Sequence, residues 1–425
     1  MNSRIAGTRT IRTFGMGLTM QALLSGANFA VGLILIRRTS DLQYSYYVLA
    51  TNALLLLTAM QTAFIQPYVV SNLTTLDSAA RHDVVGALVR TSSRWVPVLC
   101  GISIAVAWVL WGAQRLHPGT ALLVTVCLLA GGLALSREFF RVTLFAYRRP
   151  ADVLQADLAF VVLLIAGAFL ATLTGMTATA AMIGVGLANL MGFLLLRRAL
   201  WRYEPWSTHT TGHIMGKIAA AGAWAILGSG IHWLLIQGYS YLVAGVLDIS
   251  DVASIAATRL MLMPVFVLSG GVSMLLFPMT SRWVHELGTR AASRRLLMLV
   301  ATLGGAALVY MVTMWLLRDW IFTVILKKQF THRDPLLLLW SAVFLVTLCR
   351  DQLATLPASR ARFRDMTLMT GVSAIVWLLT SYLAMLRYGP SGAVMGILAG
   401  EFINICGIIF MVFKETRSHA AVPAH

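Results

Sequence analysis

A succession of long, nearly charge-free apolar runs constrains this chain more than any other feature. Twelve are present, near 14–36, 45–67, 95–114, 119–138, 154–174, 177–196, 217–245, 251–277, 296–317, 335–354, 366–386 and 390–413. About 20 apolar residues in a helix cross the roughly 30 Å of hydrocarbon in a bilayer. Inside lipid only helices and closed barrels satisfy their own backbone hydrogen bonds. Barrel strands read as alternating segments of about ten residues, whereas these runs are continuous and longer. The chain therefore reads as an all-α membrane protein of about twelve transmembrane helices. Composition excludes a soluble fold. Hydrophobic residues make up 58% of the chain and charged residues 12%, against about 25% charged in soluble domains.

The net charge of +17 would suggest nucleic acid in a soluble protein. In a multi-pass chain it follows from the bias of Lys and Arg toward cytoplasmic loops, so no nucleic-acid partner is expected. With both termini on one side, that side holds most of the 33 Lys and Arg, which predicts cytoplasmic termini. Arg4, Arg9 and Arg12 precede a first run that is too long for a signal peptide core and reads as the first span. The four cysteines, Cys100, Cys127, Cys349 and Cys406, lie in apolar runs without metal or disulfide spacing. His209 and His213 have metal-like spacing but lack a third ligand, and no metal is expected. The segment Trp320–Arg333 reads as an outer interfacial loop. No GxSxG, Walker A or HExxH motif is present.

The polar stretch Arg197–Lys217 divides the spans six and six. The expected organisation is an N-lobe at 1–200, a cytoplasmic linker at 201–216 and a C-lobe at 217–425. The halves read as copies. An offset of 211 aligns Pro67 with Pro278 and the loop Arg37–Tyr44 with Asp248–Ile255. It drifts to 213 to pair Arg137-Glu138 with Arg350-Asp351 and Arg148-Arg149 with Ala361-Arg362, and at 214 it pairs Gly175 with Gly389. An even number of spans per copy gives both lobes one orientation, the parallel repeat of some transporter folds.

Three segments carry a resemblance to a known family. Gly26–Val70 reads GANFAVGLILIRRTSDLQYSYYVLATNALLLLTAMQTAFIQPYVV, a span, a short polar turn with an acid and aromatics, and a second span ending at proline. Ile236–Trp283 repeats this layout and ends in FPMTSRW, and Tyr388–Glu401 reads YGPSGAVMGILAGE. The chain resembles the polysaccharide flippases, lipid-linked oligosaccharide exporters of the multidrug/oligosaccharidyl-lipid/polysaccharide superfamily. The resemblance implies two pseudo-symmetric six-helix lobes and transport of a polyprenyl-pyrophosphate glycan by alternating access. It implies a bacterial inner membrane setting and membrane lipids, polysaccharide polymerase and export machinery as partners. It implies no cofactor and leaves open coupling to protons or sodium. Three departures stand out, the first being that the chain is short for the family. The outer acid Asp251 is not mirrored in the first half, and the first span lacks the Asp that many drug-exporting relatives carry there.

Arg259 lies well inside the eighth span. A charge at mid-bilayer costs about 3 kcal/mol on insertion scales and is retained where it faces a cavity or a partner. A guanidinium binds phosphate oxygens bidentately. In the lipid II flippase branch, which the chain resembles in topology, basic residues of helices 1, 2 and 8 line a cationic cavity, and Arg259 matches the helix 8 position alone. Gln21, Ser25 and Asn28 share one helical face. The repeat offset sets His232 against Gln21 and Tyr239 against Asn28, with Gln237 nearby. In the family these helices line the cleft, where such groups suit sugar hydroxyls; as interhelical glue they would be equally at home. Arg137, Glu138, Arg350 and Asp351 read as latches that pair across to other helices, because adjacent residues on a helix do not face each other, or as a relay. Glu401 reads as the most isolated buried carboxylate and a coupling site, with Asp157 next. Rival readings are a cation-coupled drug antiporter, a membrane polymerase or ligase of glycan assembly, and a non-transporting scaffold.

Overall fold

The structure is a computed structural model and describes residues 2–73, 76–147, 149–203, 205–206, 213–360 and 362–418. Among these residues it is helical throughout. The elements are α1 (Asn2–Arg38), α2 (Asp41–Asn72), α3 (Ser78–Gly112), α4 (Pro118–Ala146), α5 (Pro150–Ala171), α6 (Thr177–Tyr203), α7 (His213–Gln237), α8 (Tyr239–Val246), α9 (Asp251–Leu316), α10 (Arg318–Trp320), α11 (Arg333–Ser359), α12 (Phe363–Tyr388) and α13 (Pro390–Ser418). Much of the linker predicted at 201–216, together with Arg148, His209 and Ala361, lies outside the described residues.

Helix starts follow local chemistry. The Ser40 side chain accepts from the Gln43 N–H ahead of α2, and Asp77 from the Ala80 N–H ahead of α3, each satisfying a donor that a helix leaves open. Pro118 and Pro150 open α4 and α5, where the missing N–H costs nothing. Gly389, at φ 56°, closes α12, and Pro390 starts α13.

Among the described residues, eleven helical stretches are long and apolar enough to cross a bilayer, two of them within α9. Large apolar side chains such as Val109, Leu173, Leu316 and Phe410 are more than half exposed, as they must be where lipid is the solvent. Three expectations are corrected. The seventh span, expected at 217–245, is two helices meeting at Gly238, where a Cβ would fall 2.4 Å from the Leu234 carbonyl oxygen. The eighth and ninth spans are not joined by a loop. They are two helices within α9 that meet directly at a sharp break at Gly288, with φ 79° and ψ 163°, a conformation open to glycine. Asp251 is mirrored after all. Asp251 is the first residue of α9 and Asp41 the first of α2, one residue off the offset used to align the halves.

The chain divides into two compact units, Met1–Trp233 and Leu234–His425. In the first, α6 packs on α5 and α4, α4 on α2, and α1 on α5. In the second, α13 packs on α12 and α11, α11 on α9, and α8 on α12. Element for element these are the same neighbours, which gives the sequence repeat a physical form. The first core gathers Ile65, Leu88, Phe139, Phe140 and Leu196, and the second Leu276, Leu296, Leu353 and Ile408. The segment read as an outer loop is pinned by ions. Arg333 bridges Asp319 at 2.7 Å and Asp334 at 2.6 Å, and Arg318 reaches Asp334 at 3.4 Å.

Candidate functional site

Among the described residues, three groups of charged side chains stand out in the spans. The first lies between α4 and α5. Arg137 donates to Asp157, whose side chain is fully buried, and Arg141 donates to the other carboxylate oxygen at 3.3 Å and to Glu138 at 3.2 Å. The Arg137 guanidinium also lies 3.8 Å from the Phe160 ring centroid. Gly192 on α6 makes room for it, since a Cβ there would come within 2.8 Å of the Arg137 side chain. Two cations meet two carboxylates, so the group is formally neutral.

The second group lies between α11 and α13. Arg350 donates to both oxygens of Glu401, at 2.6 and 2.9 Å, and to Asp351 at 2.7 Å. Glu401 is thus not isolated, and the neighbours Arg350 and Asp351 do meet, because the long guanidine arm folds back along its own helix. Here one cation serves two carboxylates, which leaves an excess negative charge. Asn404, one turn on, is buried.

The third group has the opposite character. Arg259 on α9 donates from Nη1 to the Gln237 side-chain oxygen at 2.7 Å. Its guanidinium lies 5.6 Å from the Tyr239 ring and 5.5 Å from the Trp340 ring. Tyr239 and Trp340 meet edge to face at 5.4 Å, and Trp340 continues to Phe344 at 5.7 Å. Among the described residues no carboxylate forms an ion pair with Arg259, and its buried Nε has no acceptor. The aromatic faces lend the cation some attraction but carry no countercharge. The result is a half-buried guanidinium walled by aromatic rings, with no countercharge paired to it among the described residues.

The structure brings together three of the seven cleft candidates, Arg259, Gln237 and Tyr239. Tyr239 is only 1% exposed and serves as a wall. Gln21, Ser25, Asn28 and His232 belong to the first unit. Gln21, Asn28 and His232 are exposed and Ser25 half-buried. Trp340 was not singled out by sequence. It sits in an ordinary apolar run, and the repeat pairs it with Cys127, so neither motif nor symmetry marks it.

No family model and no curated protein matches the chain. Solved structures do match in fold. An inward-facing multidrug resistance MATE family transporter of the MOP superfamily superposes with TM-score 0.77 at 12% identity, over 95% of this chain and 96% of that one. The lipid II flippase MurJ, in an inward closed conformation, matches with TM-score 0.73 at 12% identity, over 96% and 87%. A MOP superfamily transporter from Pyrococcus furiosus, described as having a binding pocket of reverse polarity, matches with TM-score 0.66 at 12% identity, over 96% and 95%. The architecture is therefore the multi-pass, all-α fold of MOP superfamily transporters.

Proposed function

We propose that this protein is a flippase. It translocates a lipid-linked oligosaccharide, a polyprenyl-pyrophosphate glycan, across the bacterial inner membrane for surface polysaccharide biosynthesis. The observation that carries the reading is Arg259, an intramembrane guanidinium that among the described residues binds no carboxylate and keeps a buried N–H without an acceptor. A charge kept in the bilayer without a countercharge is costly, and an anionic head group repays that cost when it binds. The likeness in fold to MurJ supports the substrate class. In this reading two lobes, 1–200 and 217–425, alternate in access, with the sugars passing Gln21, Ser25, Asn28 and His232 while the lipid tail stays in the bilayer. Arg137–Asp157 and Arg350–Glu401 hold their own helices together.

The test is deletion of the gene, followed by analysis of surface polysaccharide and lipid-linked intermediates. Loss of the polymer with a lipid-linked repeat unit accumulating on the cytoplasmic leaflet supports the flippase. A second reading, a cation-coupled antiporter of small molecules, is favoured by the excess carboxylate at Arg350, Asp351 and Glu401 and by the MATE likeness. Intact polysaccharide with altered drug sensitivity in the deletion strain would select it.

A further inference from the structure

We infer that Trp340 is the second hydrogen-bond donor of the Arg259 site, and that the site takes a group offering oxygen acceptors alone, a phosphate or pyrophosphate, rather than a sugar hydroxyl or a cation. The inference rests on the anion reading of Arg259 above. Trp340 is 3% exposed, and its indole N–H is buried without an acceptor among the described residues. A buried indole N–H normally finds one. The same holds for the Nε–H of Arg259, whose guanidinium lies 5.5 Å from this very ring. Two acceptor-less donors thus lie in one locality, which is where the inferred acceptor group would sit. The third polar group there points the same way. Gln237 spends its carbonyl oxygen on Arg259, which leaves its NH₂ to donate. Arg and Trp side chains carry donors only.

A sugar hydroxyl needs an acceptor for its own proton and would find only the second lone pair of the Gln237 oxygen, already turned to Arg259. A cation would be repelled by the guanidinium. A phosphate oxygen satisfies every donor. The rings around the site add a low-dielectric wall that strengthens such bonds, and the packing of Trp340 between Tyr239 and Phe344 fixes where the N–H sits. Other orphaned donors lack this setting. Trp377 also carries a buried N–H without an acceptor, but no guanidinium faces it. Arg137 has an unpartnered Nε, but Asp157 already holds its charge.

The experiment uses the full chain in detergent micelles, with farnesyl pyrophosphate as probe and farnesol as neutral control, followed by calorimetry. W340F keeps the ring face and loses only the N–H. It is expected to weaken farnesyl pyrophosphate binding roughly 10- to 100-fold, the range for a hydrogen bond to a charged group, and to leave farnesol unchanged. W340H, which restores a ring N–H, is expected to recover part of the loss and serves as the comparison should W340F fold poorly. With ¹⁵N-labelled tryptophan in the wild-type protein, one indole N–H signal should move downfield on adding farnesyl pyrophosphate and stay still with farnesol. Equal affinity for W340F and wild type, or no indole signal moving while the probe binds, overturns the role of Trp340 and leaves Arg259 standing. If wild type binds farnesyl pyrophosphate no better than farnesol, or Arg259→Ala binds it as tightly as wild type, the anion reading itself falls.

Discussion

The α4–α5 charge group of the first unit and the α11–α13 group of the second begin from corresponding residues, Arg137-Glu138 and Arg350-Asp351. They close on different helices. Asp157 comes from α5, whereas Glu401 comes from α13. The first group balances two guanidinium groups against two carboxylates, and the second sets one against two. Matching helix neighbours in the two units show that the repeat governs packing. The difference in charge shows that it does not govern electrostatics. A buried ion pair is held in place mainly because breaking it is costly. A balanced group is therefore most economically explained as structure, while an unbalanced one has room for an ion or a ligand. Arg259 lies at the far end of this scale, a cation with no ion-pair partner.

This contrast can be broken by substitution. The largest effect is expected for Asp157→Asn, which leaves Arg137 and Arg141 without their shared buried carboxylate. A loss of roughly 3–5 kcal/mol follows from breaking a buried pair by removing one partner, read as a collapse of monodisperse protein in heated size-exclusion profiles. Glu401→Gln is expected to cost less, about 1–3 kcal/mol for a charged hydrogen bond, because Asp351 still holds Arg350. Equal losses in the two variants would dissolve the distinction between balanced and unbalanced groups. Gly192→Ala sharpens it from the other side. The new methyl would press on the Arg137 side chain and is expected to cost about 1–3 kcal/mol, in the range of overpacking, in the same heating assay.

The smallest effect concerns the helix entrances. Ser40 caps α2 by accepting from Gln43, whereas Ser250, at the corresponding place before α9, gives no cap bond. Instead it donates to the Asp248 carboxylate through its hydroxyl and its backbone N–H. These bonds, the hydroxyl foremost, hold Asp248 below the usual carboxylate range. A depressed carboxyl contributes its stability at neutral pH and loses it as pH falls through its folded value. Ser250→Ala should therefore move the Asp248 titration upward, followed by selective ¹³C labelling of aspartate, with little change in thermal stability. Ser40→Ala should cost about 1 kcal/mol as a lost cap and leave that titration alone.

Much of this was legible in the sequence because lipid imposes a simple rule. Each span must be long and apolar, so the spans show in the residues, as does the repeat in Arg137-Glu138 and Arg350-Asp351. A charge inside a span must have a reason, which made Arg259 conspicuous without any structure. The identity of partners was not legible. Whether Arg350 meets Glu401 or another acid depends on which helices pack together, and no spacing along one chain encodes that. The direct meeting of the two helices of α9 at Gly288 was hidden because the polar residues around Arg282–Arg295 read as a loop when only hydropathy is considered. Trp340 was invisible for a related reason. A tryptophan in an apolar run fits any packed helix, and its role emerges only once its N–H is seen to lack an acceptor beside Arg259.

The central claim is that Arg259 binds the anionic head group and holds no structural ion pair. Its most direct test replaces it with glutamine, as Arg259→Gln in a strain lacking the wild-type gene. Surface polysaccharide, membrane protein level and thermal stability are measured together. The account predicts loss of export at an unchanged protein level, with stability shifted by no more than about 1–2 kcal/mol. Losing a cation–π contact there is offset by removing a charge from the bilayer. Normal export at a normal protein level, or a collapse of the protein like that expected for Asp157→Asn, would contradict it.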